Sequence, residues 1–152
     1  MKNITLIILV LFLYSCGYSS IYKNQKLQNF KINIIEAKGN GEMNNLIKNE
    51  IKSYSDKNTA NIYNLKIDTD YTKETLTKDS TGLITDYKLS VTSIFTIDLK
   101  GKTQVIKLKE TINIKNQSDS FGQNTYEKNI KRNFASSIRK KLISEIFSIN
   151  DN

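Results

Sequence analysis

The chain has 152 residues, with 23 Lys and Arg against 15 Asp and Glu, a formal net charge of +8, one cysteine, and no histidine, proline or tryptophan. Without His and a second Cys it cannot build the common zinc sites or a Cys–His or Ser–His–Asp triad, and it cannot close an internal disulfide. The cationic surplus favours acidic partners such as anionic headgroups or phosphates, though a solvated Lys-rich surface would give the same count.

The N-terminus reads as an export signal. Lys2 supplies a positive start, and Ile4 to Tyr14 is apolar but for Thr5. As a helix that run spans about 16 Å, roughly half a bilayer core, which is too short for a membrane span and suits a signal peptide. Leu13-Tyr14-Ser15-Cys16 follows, similar to a bacterial lipobox with Leu three before the cysteine and a small residue just before it. Residues 1–15 are thus expected to be removed, leaving Cys16 to carry an S-diacylglycerol and an N-acyl chain of the palmitate type. Two or more chains anchor stably, since each buried CH₂ contributes about 0.8 kcal/mol. The alternative is an unmodified, buried cysteine after an ordinary signal peptide. Gly17, rather than Asp, follows the cysteine; by similarity to sorting rules of such lipoproteins this points to the outer membrane, periplasmic side. Export argues against nucleic acid as a partner.

Residues 16–29 read as an extended, lipid-anchored leader, and 30–148 as a single domain. Phe30, Ile32 and Ile34 alternate with polar residues, predicting a strand that the glycines of 36–41 end. Met43, Leu46, Ile47, Ile51 and Tyr54 form one stripe of a helix over 42–54, with Glu42 placed to suit its dipole. Three strands follow. Tyr63, Leu65, Ile67 and Tyr71 share a face in the first. Lys78 to Gly82 has turn chemistry. Tyr87, Leu89, Val91, Phe95, Ile97 and Leu99 share a face in the second, and Lys100-Gly101-Lys102 makes a hairpin connection to the third, with Ile106, Leu108, Ile112 and Ile114 on its apolar side. Each strand has one polar face, so the sheet is expected to be largely antiparallel and covered on one side.

Residues 116–124 read as a polar loop, and 126–147 as the longest helix. Ile130, Phe134, Ile138, Leu142 and Ile146 recur every four residues, Tyr126 extends the row, and Ala135, Ile143 and Phe147 widen it. Lys128, Lys131, Arg132, Arg139, Lys140 and Lys141 lie off that row as a basic surface, either for anionic partners or as the solvated side of a packed helix. Residues 149–152 are expected to fray. The order strand, helix, three strands, helix predicts an α+β two-layer sandwich, a four-stranded sheet with both helices on one face.

Chemistry is sparse. Asp68 and Asp70 share an exposed strand face, where paired acids solubilise rather than act as acid and base. Gly39-Asn40-Gly41-Glu42 precedes a helix but lacks the longer glycine pattern and Lys-Ser or Lys-Thr pair of a phosphate loop. Neither an enzyme nor a bound metal or cofactor, beyond the lipid on Cys16, is expected.

Taken together, Cys16-Gly17-Tyr18, the element order, the segment Gly82 to Leu89 entering the middle strand, and Phe134-Ala135 with Ile138 to Leu142 in the last helix resemble the LPS-assembly lipoprotein family, LptE (also called RlpB). The resemblance implies a non-enzymatic plug inside the LptD β-barrel that helps deliver lipopolysaccharide to the cell surface and binds it. Basic residues near the turn after the second strand serve some members, and Lys78 stands there; in the loop before the last helix Ser118-Asp119-Ser120 stands instead, with Lys115 upstream. Lys78, Lys100 and Lys102, at strand tips, are the candidate lipopolysaccharide contacts, with hairpin solubility as the plainer reading. The alternative function is an outer-membrane accessory lipoprotein for barrel insertion or cell-wall synthesis.

Overall fold

The computed structural model describes residues 30–54, 62–99 and 102–150. In chain order the elements are β1 (Lys31–Gly39), α1 (Gly41–Tyr54), β2 (Ile62–Lys78), β3 (Ile84–Leu99), β4 (Lys102–Lys115) and α2 (Ser120–Asn150), and the sheet order is β1-β2-β3-β4. This is the expected α+β arrangement. The helices lie together on one face, α1 over β1 and β2, α2 along β4 and against α1.

The sheet is mixed. β2, β3 and β4 pair antiparallel, whereas β1 runs parallel to β2, with Lys31 opposite Ile62. The largely antiparallel sheet expected from one-sided alternation is found in β2–β4; β1 is the parallel exception, because α1 returns the chain to the starting end before β2 begins, and a strand reached through a crossover helix pairs parallel. The core is the side chains between sheet and helices. Leu65, Ile67, Leu89, Val91, Phe95 and Ile97 from the central strands meet Met43, Ile47 and Ile51 of α1 and Ile138, Leu142 and Ile146 of α2, all essentially inaccessible to solvent. Thr69 and Ser93 are buried among them and satisfy each other through a hydroxyl pair at 3.1 Å.

The junction of β1 and α1 accounts for the glycine-rich segment before the helix. Gly39 has φ +81, and a Cβ there would lie 2.1 Å from the Thr69 carbonyl oxygen, so this position admits only glycine. Asn40 then caps α1: its side-chain oxygen accepts from the Met43 N–H at 3.0 Å. The segment ends a strand and starts a helix, which is work enough for its residues.

Several elements are longer than the sequence suggests. β2 and β3 extend as a two-stranded hairpin to Lys78 and Ile84, past the expected ends at Tyr71 and Tyr87. Asp79 builds its turn, accepting from Thr81 N–H at 2.8 Å and Leu83 N–H at 3.0 Å, while Gly82 takes φ +87. Helix α2 begins at Ser120, inside the expected loop, because Asp119 caps it by accepting from Gly122 N–H at 2.6 Å. Tyr126 is exposed rather than extending the buried row. At the other end Ile149, read as part of a fraying tail, lies in the helix and packs against the core.

Candidate functional site

Cys16, the leader and Lys100 lie outside the described residues. Lys78 is exposed at the end of β2, opposite Ile84, and Lys102 opens β4 opposite Leu99. Because successive hairpins turn at opposite ends of a sheet, these two lysines stand at opposite ends of β3, a strand of 16 residues. At about 3.3 Å per residue that is roughly 50 Å of strand. Lys78 and Lys102 therefore do not share a site.

The Lys78 end is the better built. The loop leaving β4 is bonded to the hairpin: Asn116 N–H donates to the Thr85 carbonyl at 2.7 Å, and its side-chain amide to the Ile84 carbonyl at 2.9 Å. Lys115 sits opposite Asp86 in the ladder. Hydrogen bonds from Thr77 and Thr85, with the charge of Lys115 behind them, hold the half-buried Asp86 carboxyl below its usual range. Leu83 is 69% exposed and Phe121 80% exposed, with Leu76 also open to solvent. One end of the molecule thus carries lysines and bare apolar side chains on two bonded segments. Sequence reasoning found Lys78 and missed Leu76, Leu83 and Phe121. The available signal was a lone large apolar residue in an otherwise polar turn.

A polar seam fastens this end to α2. Lys73 lies 4.0 Å from the centre of the Tyr87 ring and pairs with Glu127, which also accepts from Gln123 at 2.5 Å. Lys131 lies 4.8 Å from the Tyr71 ring centre and pairs with Glu42 of α1 at 2.6 Å. Burial pulls the Glu127 carboxyl up, but the hydrogen bonds from Lys73 and Gln123 and the charges of Lys73 and Lys131 outweigh it, leaving it below the ordinary value. Burial, aided by Glu127 and Glu42, pushes the Tyr71 hydroxyl up to about 12. That hydroxyl is buried and has no hydrogen-bond partner among the described residues.

The seam also resolves the basic helix surface. Lys131 is tied to Glu42, Lys141 to Glu110 at 2.8 Å, and Arg139, 8% exposed, to Glu50 of α1 at 3.1 Å. Half of the six cations clamp α2 to its neighbours, so α2 does not offer one continuous basic face. The helix-free side of the sheet remains, polar as expected: Asn64, Lys66, Asp68 and Asp70 of β2 are exposed, with Thr92 and Thr96 of β3 beside them. Among the described residues no cluster of His, Cys, Asp and Glu could hold a metal, and no helix is long and apolar enough to cross a membrane.

No protein-family model matches the chain, and no curated protein matches it by sequence. Solved structures do match. Rare lipoprotein B from Shewanella oneidensis superposes with a TM-score of 0.60 at 16% identity, over 79% of this chain and 98% of that one. The fold is that of rare lipoprotein B. Lipoprotein B from Nitrosomonas europaea matches at TM-score 0.54 and 9% identity, over 82% of this chain and 86% of its own. A candidate lipoprotein of Caulobacter crescentus gives 0.54 and 10%, over 80% and 92%. The fold expected from the resemblance to the LptE (RlpB) family is therefore found, with sheet and helices accounting for nearly all of the rare lipoprotein B chain.

Proposed function

We propose that this chain is an outer-membrane lipoprotein, anchored through acyl chains on Cys16, whose domain seats in an LptD-type β-barrel and binds lipopolysaccharide during its delivery to the cell surface. The observation that carries the reading is the shared fold with rare lipoprotein B, covering 98% of that chain. The lipobox ending at Cys16 supports the anchor. A sheet with one polar, helix-free face suits a hydrated barrel lumen, whose interior is polar. The hairpin end with Lys78, Lys115, Leu83 and Phe121 suits a ligand carrying both phosphates and acyl chains, because it offers charge-assisted donors beside apolar surface. No enzymatic step is assigned.

The test is depletion of the chain in its native host, followed by separate measurement of surface-exposed and total lipopolysaccharide. The reading requires the surface fraction to fall while the total is maintained. It also requires rescue by the native gene and not by Cys16→Ser. An unchanged surface fraction would reject it and favour an accessory role in barrel insertion or cell-wall synthesis.

A further inference from the structure

The sheet has two edges, β1 and β4, and they are finished differently. β1 has 9 residues, and a bulge between Ile34 and Glu36 interrupts its pairing. Short length, bulges, prolines and lysines are how sheets keep an edge from recruiting another strand. Of these β4 uses only lysines, which repel a strand of like charge and leave the edge open to an acidic one. It runs 14 residues without proline, and its register against β3 is unshifted from Leu99 opposite Lys102 to Asp86 opposite Lys115. Every second residue of such a strand turns its N–H and C=O outward, and among the described residues no strand lies beyond it.

The side chains of β4 add a second argument. On the helix-free face, lysines of the inner strands have carboxylates close by: Lys66 lies 3.6 Å from Glu36 and Lys88 lies 3.7 Å from Glu74. Lys107 and Lys109 differ. Ile94 and Thr92 stand opposite them on β3, and among the described residues neither lysine joins an ion pair. Val105, on the same face, is 65% exposed. The lateral neighbour these side chains lack is a residue of a fifth strand.

Charge selects that strand. Antiparallel pairing of β4 with β4 of a second copy would bring the Lys107 and Lys109 pairs together, and directly opposed like charges destabilise a sheet. The chain's own leader carries Lys23 and Lys26 and no carboxylate, and it continues into β1 at the other edge. We propose that β4 is a docking edge for an extended segment of another protein chain bearing carboxylates at alternate positions, which adds to the sheet as a fifth strand. Main-chain hydrogen bonds would supply affinity, and the Lys107 and Lys109 pairs the selectivity. This goes beyond the function proposed above and does not depend on the identity of the barrel.

The test uses the full chain in detergent at physiological salt and a fluorescent peptide in which Glu and Val alternate, read by anisotropy. Saturable binding is expected. The double variant K107E/K109E, whose fold is checked by circular dichroism, should bind about tenfold or more weakly, while a peptide alternating Lys and Val binds the variant in preference to the native chain. N-methylating alternate amides of the acidic peptide should abolish binding. No saturable binding, equal binding by the double variant, or binding that survives N-methylation would overturn the proposal. So would a dimer of the native chain that K107E/K109E disrupts, which would make a second copy the occupant.

Discussion

Replacing Gly39 by alanine tests how β1, α1 and β2 are joined, and Gly82 provides its control. Both glycines have positive φ, +81 and +87. At Gly82 nothing lies within 4 Å of an added Cβ, so Gly82→Ala costs only the left-handed backbone penalty, about 1–2 kcal/mol. At Gly39 the same penalty applies, and the Cβ falls 2.1 Å from the Thr69 oxygen, a backbone atom that cannot swing aside. Relief requires β1 to part from β2 there, which breaks the Asn40 N–H to Thr69 carbonyl hydrogen bond of 2.6 Å. That bond is worth about 0.5–1.5 kcal/mol, and an unsatisfied buried group costs about 1–3 kcal/mol more. Gly39→Ala should therefore destabilise by about 2.5–6.5 kcal/mol, a large share of the roughly 5–15 kcal/mol that holds an ordinary domain together. Urea unfolding of both variants in a Cys16→Ser background, followed by far-ultraviolet circular dichroism, measures the difference. If Gly39→Ala costs no more than Gly82→Ala, the close approach of β1 to Thr69 is refuted.

Asn40→Ala should cost about 1 kcal/mol by removing the cap on the Met43 N–H, while Asn40→Asp keeps most of it; the same urea experiment decides. Tyr71→Phe should be neutral or stabilising at pH 7, since it removes a buried hydroxyl that no described residue hydrogen-bonds and keeps the ring beneath Lys131. The native domain should lose stability from pH 10 to about 12, because the unfolded tyrosine ionises there before the folded one. Tyr71→Phe should lose less over that range, and equal slopes in pH-dependent melting would contradict the burial argument. At the acid end, burial raises the Glu110 carboxyl, but hydrogen bonds from Lys141 and Ser137 outweigh it and hold it below 4.5. Its contribution, with that of Glu127, is present above pH 4.5 and lost as pH falls through the depressed values, so Glu110→Gln should flatten the acid limb of stability against pH.

Much of the fold was legible because one face of every element is buried. Alternation in 87–99 and the four-residue row from Ile130 to Ile146 follow directly from a two-layer core. The outer half of the β2–β3 hairpin was not legible: Lys73 to Lys78 is exposed at every position, so no alternation marks it, and cross-strand bonds from Thr77 to Thr85 and Asp86 stabilise it instead. The first turn of α2 was hidden for a related reason, since Ser120 to Asn124 forms no apolar stripe and the helix starts from the Asp119 cap. Arg139 could be placed on a helix but not recognised as a clamp, because Glu50 is distant in sequence and meets it only after α1 and α2 dock. Of the candidate lysines, Lys78 was correctly set at an exposed tip. That Lys78 and Lys102 lie at opposite ends follows from the order of two successive hairpins.

The central claim is the barrel partner, and co-purification tests it most directly. The chain, tagged at its C-terminus with Cys16 intact, is expressed in its native host, extracted in mild detergent, and its partners are identified and quantified by mass spectrometry. The account predicts an LptD-type outer-membrane barrel in near-equal amount. A cell-wall synthase in its place, or no barrel although the chain is acylated and in the outer membrane, would contradict it.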